Sequence, residues 1–172
     1  IIGRSEVDPT FIECTTRSVS RCRFLQKTAH SQSVTRRAAE SVAIELGATF
    51  FDADVSNAVT FYLDEYQRIS GRKLNWQDDD ATLQNIQARA RSPLAWLIAN
   101  ADNAILLTTS NRSEAAVGYA TMDGDTSGGL APVAGIDKKF LREFLVWLQT
   151  QDKWGIGPLA SLKLVNQMEP TA

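Results

Sequence analysis

Cysteine and histidine are scarce in this sequence, and their scarcity argues against several kinds of site. The two cysteines, Cys14 and Cys22, have no Cys-x-x-Cys spacing and no histidine close to them. Structural zinc and a disulfide framework are therefore unsupported, and free thiols in a reducing compartment are expected. The single histidine, His30, lies among Thr, Ser and Gln residues, where we expect a surface or capping role.

A basic surplus and a long apolar run are also missing. The formal net charge is −2 and the pI is about 5.4, whereas proteins that bind nucleic acid usually carry excess positive charge. No apolar run approaches the ~18 residues that span a membrane, and no signal-peptide pattern opens the chain. We therefore predict a cytoplasmic protein whose partners include neither nucleic acid nor a membrane.

The 172 residues are enough for one globular domain with a sizeable core. The sequence begins Ile1-Ile2-Gly3 without Met and ends without a clear terminal element, so we expect an excerpt from a longer protein. Residues 1–22 hold no sustained hydrophobic period and are predicted to be a loosely ordered lead-in. Residues 23–172 are predicted to form the domain.

The rest of the sequence alternates helical and strand patterns, which predicts an α/β layer fold. Apolar residues at helical spacing predict helices over residues 33–46, 59–69, 83–98, 138–148 and 158–165. Short apolar runs predict strands over residues 21–27, 48–55 and 104–107. Pro93 is expected to kink or restart the third helix, and Asp137 to cap the fourth.

Residues 107–132 combine glycines, carboxylates and hydroxyls, a composition that suits ligand contact. Within them Gly124-Asp125-Thr126-Ser127-Gly128-Gly129 invites comparison with the nucleophile loop of chymotrypsin-like proteases. The extra Thr126 and the lack of a histidine other than His30 argue against a serine hydrolase. A nucleotide site fits better, because parallel sheets bind ligands beyond the carboxyl ends of their strands.

Several charged residues have two interpretations from the sequence alone. Residues 78–80, three consecutive Asp, are better explained as a solvated helix cap than as a metal site. Arg89 and Arg91 lie on the polar side of a helix, where arginines are usually solvated. Lys138 falls in the first turn of a helix, where a cation opposes the helix dipole. A bound phosphate would relieve that conflict, or the lysine reaches into water.

Three segments carry a resemblance to a known family. They are NIQARAR at residues 85–91, TSNRSEAAVGY at 109–119 and GDTSGGLAP at 124–132. Together they resemble the synthetase domain of NAD⁺ synthetases, and Gly128-Gly129 is most similar to the glutamine-dependent, two-domain members. Residues 30–36 also resemble the segment after the family's second strand, and the match follows the family's order from about residue 23 to 171.

The resemblance implies both a fold and a reaction. The implied fold is a Rossmann-like parallel sheet of the adenine-nucleotide α-hydrolase type, in three α/β/α layers and incomplete. The implied reaction is ATP-dependent amidation of deamido-NAD⁺ through an adenylate, with Mg²⁺ and with ammonia that is free or derived from glutamine. A homodimer or larger homo-oligomer is implied as well.

The resemblance also assigns roles to individual positions. The positions that match ATP contacts are Thr109, Lys138 and Thr171. The positions that match contacts to deamido-NAD⁺ are Asn85, Arg89 and Glu114, and Glu114 also matches a metal-binding carboxylate. No protein nucleophile is implied, so catalysis would consist of positioning and charge neutralisation.

One family motif has no counterpart in this sequence. The Ser-Gly-Gly-x-Asp-Ser loop that holds pyrophosphate is absent, and Ser127-Gly128-Gly129 does not replace it because Leu130-Ala131 follows. The first strand and helix of the family are missing too. We therefore expect the excerpt alone to be inactive and its parent to be the ligase. The alternative is a non-catalytic nucleotide-binding or assembly domain that has lost the phosphate loop.

Overall fold

The computed structural model describes residues 10–15, 19–27, 33–152, 155 and 157–168. The strands are β1 (Thr10–Thr15), β2 (Val19–Lys27), β3 (Thr49–Asp54) and β4 (Ala104–Leu107). The helices are α1 (Ser33–Glu45), α2 (Ser56–Ser70), α3 (Asp80–Arg89), α4 (Ser92–Ala101), α5 (Arg112–Val117), α6 (Lys138–Thr150) and α7 (Leu162–Gln167). Within this part of the chain, every helix is too short or too polar to cross a membrane.

The four strands form one sheet in the order β3-β2-β1-β4. β2 pairs with β3 in parallel, and β1 pairs with both β2 and β4 in antiparallel fashion. β2, β3 and β4 therefore run in one direction, as predicted, with β1 running against them in their midst. α1 packs on β2 and β3, and α4 packs on β1 and β4.

β1 lies in the region predicted to be a loosely ordered lead-in, and β2 begins at Val19 instead of residue 21. The six residues of β1 hold no period of their own. Their strand conformation depends on pairing with β4, which lies far along the chain, and a local pattern does not report such pairing. The division of the chain at residues 22 and 23 remains a prediction.

The expected break at Pro93 is confirmed. α3 ends at Arg89 and α4 begins at Ser92, with Pro93 in its first turn. Proline has no backbone N–H, and its ring clashes with the preceding turn, so the chain starts a new helix there instead of continuing α3. The junction turns the chain at the point where α3 and α4 meet the loop after β4.

Helix capping is clearest at α6 and α5. The side chain of Asp137 accepts a hydrogen bond from the N–H of Phe140 at 2.8 Å, which confirms the predicted cap of α6. α5 was not predicted. Its six residues are too few for a hydrophobic period, and they are stabilised by a reciprocal capping box between Asn111 and Glu114. The last helix begins at Leu162, later than the expected start at residue 158.

Two apolar clusters hold these elements in place. The first joins α4 to β4 through Ala95, Ala99 and Leu106. The second joins α1 to the C-terminal elements through Val42, Leu159 and Leu162, with Leu145 and Leu148 of α6 packed against it. Small alanine side chains let α4 approach the sheet closely, and this fixes the position of the chain that leaves β4.

Candidate functional site

The loop of residues 121–130, here called the glycine loop, runs beside the end of β4. The N–H of Thr108 donates to the carbonyl of Leu130 at 2.9 Å, and the N–H of Gly129 donates to the carbonyl of Leu106 at 2.8 Å. These bonds extend the sheet by a short parallel bridge beyond the strand itself. The loop is therefore anchored at the carboxyl end of β4, where parallel sheets bind ligands.

Asp125 fixes the shape of the glycine loop from within. Its backbone carbonyl accepts hydrogen bonds from the hydroxyls of Thr108 at 2.6 Å and Ser110 at 3.1 Å. Its carboxylate accepts a hydrogen bond from the N–H of Thr121 at 2.8 Å. The turn also needs Gly128, because a Cβ there would lie 3.0 Å from the backbone nitrogen of Thr108.

The predicted dinucleotide residues of α3 contact the first two residues of the loop. Asn85 Oδ1 accepts a hydrogen bond from the hydroxyl of Thr121 at 2.9 Å. Arg89 Nε donates to the carbonyl of Met122 at 3.0 Å. Asn85 and Arg89 are four positions apart, so they lie on one face of α3. The structure thus brings these two residues together at the edge of the glycine loop.

α4 supports the other part of the loop. The hydroxyl of Ser92 donates to the carbonyl of Asp123 at 2.6 Å, and the indole of Trp96 donates to the hydroxyl of Ser127 at 2.8 Å. Trp96 remains 37% exposed, so its ring faces solvent as well as the loop. Together with the bonds to Asn85 and Arg89, these bonds attach the loop to α3 and α4.

A shallow cleft, open to solvent, lies between the loop, β4 and the junction of α3 and α4. Its lining residues are Ala88, Arg91, Ser92, Ala95, Thr108, Thr109, Gly124, Asp125 and Ser127. Of the six predicted site residues, Thr109 is in this lining. The lining mixes apolar alanines with hydroxyl, carboxylate and guanidinium groups, and at Gly124 it brings backbone to the surface of the cleft.

Glu114 and Lys138 form a second pair of predicted site residues. Lys138 Nζ lies 3.6 Å from Glu114 Oε1, and the other carboxylate oxygen of Glu114 accepts the N–H of Asn111 at 3.2 Å. The backbone N–H of Lys138 donates to the hydroxyl of Ser113 at 3.0 Å. The starts of α5 and α6 are therefore joined by side chains that carry opposite charges.

This pair gives Lys138 a partner that the sequence did not indicate. A cation at the start of a helix is unfavourable, but the carboxylate of Glu114 offsets its charge. Asp137 adds a second negative charge at the same helix start, and it pairs with Arg112 at 2.9 Å. The N–H of Phe140 and the Arg112 guanidinium hold the pKa of Asp137 below its usual range, so this carboxylate stays ionised.

The half-buried Tyr119 is influenced by the charges of Asp125 and Glu114. Burial raises the pKa of the Tyr119 phenol above its ordinary value, and the charges of Asp125 and Glu114 raise it further. Both effects disfavour the phenolate, so the phenol keeps its proton at neutral pH. A neutral hydroxyl beside two carboxylates can donate a hydrogen bond, whereas a phenolate would repel an anionic ligand.

Glu114 is the one predicted metal ligand, and it fits Mg²⁺ only as a partial site. The described residues contain no cluster of three or more His, Cys, Asp or Glu side chains that could hold an ion. Mg²⁺ is commonly held by one or two carboxylates together with substrate phosphates and water. The donor set therefore fits a magnesium ion that arrives with a nucleotide and does not fit a cage made of protein alone.

Thr171, the third predicted ATP contact, lies outside the described residues, as does His30. The contacts by which Thr108, Asn111 and Thr121 hold the site together were not predicted from the sequence. Two of them carried no local signal, because buried hydroxyls are identified by partners distant in sequence. Asn111 was detectable, since an N-cap residue followed three positions later by glutamate is the signature of a capping box.

Comparison with known proteins gives a consistent result. A family model described as NAD synthase matches residues 22–168. The glutamine-dependent NAD(+) synthetase of Xylella fastidiosa (strain 9a5c) is 46% identical over 71 residues, which cover 41% of this chain and 13% of that protein. The glutamine-dependent NAD(+) synthetase of Oryza sativa subsp. indica is 29% identical over 159 residues, which cover 84% of this chain and 21% of that protein.

Solved structures show the same likeness. The glutamine-dependent NAD(+) synthetase from Cytophaga hutchinsonii superposes with a TM-score of 0.78 at 44% identity, over 86% of this chain and 24% of that one. The enzyme from Acinetobacter baumannii, in complex with ADP, has a TM-score of 0.70 at 24% identity, over 86% and 26% of the two chains. The predicted fold class is thereby confirmed, and the chain spans about a quarter or less of these proteins.

Proposed function

The chain belongs to the NAD synthase family, and we propose that the protein that carries it makes NAD⁺ by ATP-dependent amidation of deamido-NAD⁺. In this reaction a carboxylate oxygen of deamido-NAD⁺ attacks the α-phosphate of ATP, and pyrophosphate leaves. Ammonia then attacks the acyl carbon of the adenylate, AMP leaves, and a proton is released. Mg²⁺, when bound, would neutralise phosphate charge.

The observation that carries the proposal is the contact between Lys138 and Glu114. The two residues come from segments well separated in sequence, and each matches a ligand contact of the family. A lysine at a helix N-terminus provides an ammonium group together with the positive end of the dipole, and both favour phosphate. Thr109, in the cleft at the carboxyl end of β4, would contribute its hydroxyl to the same nucleotide.

Asn85 and Arg89 would hold the dinucleotide. Both lie at the edge of the glycine loop, which fixes their side chains through Thr121 and Met122. An arginine and an amide on one helix face present several N–H donors, a suitable arrangement for the phosphate and carboxylate oxygens of deamido-NAD⁺. The role of these residues is to orient the acceptor carboxylate, since the reaction requires no protein nucleophile.

A second copy of this chain would be the partner of the α2 surface. Phe61 is 61% exposed and Ile69 is 75% exposed, and Tyr62 and Tyr66 complete an apolar face on a helix with no buried residue. Apolar faces of this kind are typical of subunit interfaces. We therefore propose that the protein forms a homodimer or a larger homo-oligomer. We also propose that it works in the cytoplasm.

The test is an assay of the gene product that carries this sequence, purified and supplied with ATP, Mg²⁺ and deamido-NAD⁺. Parallel reactions receive glutamine or ammonium, which separates the two sources of ammonia. We expect NAD⁺ and AMP to form in equal amounts, and the 172-residue chain alone to form neither. Failure of the gene product to make NAD⁺ with either nitrogen source would refute the proposal.

A non-catalytic nucleotide-binding domain is the second candidate. This function would apply to a protein without a Ser-Gly-Gly-x-Asp-Ser loop anywhere in its full sequence, and the 172 residues printed here contain none. Without backbone N–H groups to cradle pyrophosphate, a pocket could bind nucleotide and yet release no product. The same assay distinguishes the two functions, because this candidate requires ATP or dinucleotide binding by calorimetry in a gene product that makes no NAD⁺.

A further inference from the structure

Thr121 is a buried residue whose polar groups all have partners. It is 2% exposed, its hydroxyl donates to Asn85 Oδ1 at 2.9 Å, and its N–H donates to the carboxylate of Asp125 at 2.8 Å. Its carbonyl accepts a hydrogen bond from the N–H of Gly124 at 3.1 Å. Because these hydrogen bonds fix the backbone of Thr121, they also fix the position of its hydroxyl next to α3.

The contact selects one orientation of the Asn85 side chain. An amide has an oxygen that accepts hydrogen bonds at one end and an NH₂ group that donates them at the other. Because the hydroxyl of Thr121 donates to Oδ1, the oxygen end is engaged with the loop. What Asn85 can offer a ligand is then the pair of hydrogens on Nδ2.

Arg89 is held in the same way one turn along α3. Its Nε donates to the carbonyl of Met122, the residue next to Thr121, so its capacity to bind a ligand rests on Nη1 and Nη2. Thr121 and Met122 are adjacent in the loop, and each therefore binds one atom of an α3 side chain. The resulting face presents N–H donors, and it suits a ligand that offers oxygen acceptors.

We propose that Thr121 is a positioning residue of the dinucleotide site, which orients Asn85 so that Nδ2 donates to an acceptor oxygen of deamido-NAD⁺. This inference rests on the proposed function, because it requires Asn85 to contact that substrate. The competing explanation is that Thr121 only anchors the glycine loop. A pure anchor would affect ATP binding as much as dinucleotide binding, since the loop also lines the cleft.

The experiment measures binding by calorimetry in the gene product that carries this sequence, with Thr121→Val and Thr121→Ser as matched variants. Valine removes the hydroxyl and keeps the shape, whereas serine keeps the hydroxyl. We expect Thr121→Val to weaken deamido-NAD⁺ binding about tenfold, the equivalent of one lost hydrogen bond. ATP affinity should stay near that of the wild type, although the Tm should fall because a buried hydrogen bond is lost, and Thr121→Ser should bind the dinucleotide as the wild type does.

A double-mutant cycle tests whether Thr121 acts through Asn85. In an Asn85→Ala background, Thr121→Val should cause no further loss of dinucleotide affinity, because the group that it orients is gone. If Thr121→Val does not fold, Asn85→Asp provides a second test. Its carboxylate still accepts the Thr121 hydroxyl but has no Nδ2 donor, so it should lose dinucleotide affinity as Asn85→Ala does.

The outcomes separate the two claims. A wild-type protein that does not bind deamido-NAD⁺ overturns the proposed function and this inference with it. If the wild type binds the dinucleotide and Thr121→Val binds it equally well, the inference alone is wrong. It is also wrong if Thr121→Val weakens ATP and dinucleotide equally, if the losses at positions 85 and 121 add, or if Asn85→Asp binds the dinucleotide as tightly as the wild type.

Discussion

At the scale of single residues, Lys138 shows how a positive charge is stabilised at the start of a helix, where the helix dipole is unfavourable to it. Its backbone N–H is bound by the Ser113 hydroxyl, and its ammonium group lies 3.6 Å from Glu114. The neighbouring Lys139 has a side chain that is 88% exposed and lies 3.9 Å from Glu143. Two adjacent lysines on one helix therefore differ in their surroundings, and this difference allows a controlled test.

We expect Lys138→Met to raise the Kd for ATP by about 10- to 100-fold, because a charge-assisted hydrogen bond to phosphate would be lost. Methionine keeps most of the length of the side chain and removes its charge. The measurement is calorimetric titration of the gene product with ATP. Lys139→Met is the control and should bind ATP as the wild type does. Equal affinities of the Lys138 variant and the wild type would remove Lys138 from the site.

The site residues remain predictions from the sequence, and the structure adds the contacts that hold their side chains. Lys138 was singled out by its place at a helix start as well as by the resemblance, but Glu114 was not expected to offset the lysine charge. Their contact depends on α5, whose six residues are too short to show a period. The support of Asn85 by Thr121 was equally hidden, because hydrogen bonds between distant segments leave no trace in local spacing.

At the scale of elements, Glu45 links the end of α1 to the start of α7. Its carboxylate accepts hydrogen bonds from the N–H groups of Ala160 and Ser161, both at 2.9 Å, and from the Ser161 hydroxyl. These donors lower the pKa of Glu45, with the Ser161 hydroxyl making the largest contribution. The carboxylate thereby stabilises the helix start and the contact between α1 and the C-terminal segment.

We expect Glu45→Gln to lower the Tm by about 2–4 °C at pH 7, since donors that now face a carboxylate would face a neutral amide. A lowered folded-state pKa stabilises the protein above the unfolded value of 4.5 and ceases to do so as the pH falls through the folded value. The Tm difference should therefore be constant at neutral pH and shrink below pH 4.5. Thermal melts of both proteins across this range check the prediction.

Glu143→Gln is the control for that experiment, because the Glu143 side chain is 67% exposed and pairs only loosely with Lys139. Exposed ion pairs contribute little to stability, so its Tm should follow that of the wild type at every pH. A Tm difference for Glu45→Gln that stayed the same at acidic pH would show that the loss comes from packing and not from ionisation.

Most elements were predictable because they carry their own signals. The break at Pro93 follows from the missing N–H of proline, and the start of α6 follows from Asp137. β3 and β4 were found within one residue of their observed ends, since each is a short apolar run bounded by turn residues. β1 was missed because its state is set by partner strands and not by its own composition.

At the scale of the whole molecule, the apolar face of α2 is exposed and could contact a partner. Tyr62, Tyr66 and Ile69 recur at helical spacing, and Phe61 contacts Tyr62 edge to face with ring centroids 5.6 Å apart. α2 contributes no buried residue to the core of the described chain. An exposed apolar face of this kind fits the contact between subunits that we propose.

We expect Ile69→Asp to convert the gene product from a dimer or larger assembly to a smaller species, because a charge would be buried at the interface. Size-exclusion chromatography with light scattering measures the mass. Ile44→Asp is the matched control, since Ile44 is 69% exposed on α1, away from this face. A wild-type protein that is already monomeric, or an Ile69 variant of unchanged mass, would contradict the assignment of α2 to a subunit interface.

β1 has a consequence for how the sheet opens. Its residues bond to β2 on one side and to β4 on the other, with Ile12 opposite both Cys22 and Leu106. Every backbone hydrogen bond that links the β2–β3 pair to β4 therefore runs through these six residues. The amide protons of β2 and β4 that bond to β1 should exchange with deuterium in a single cooperative event when β1 detaches, although the two strands never touch.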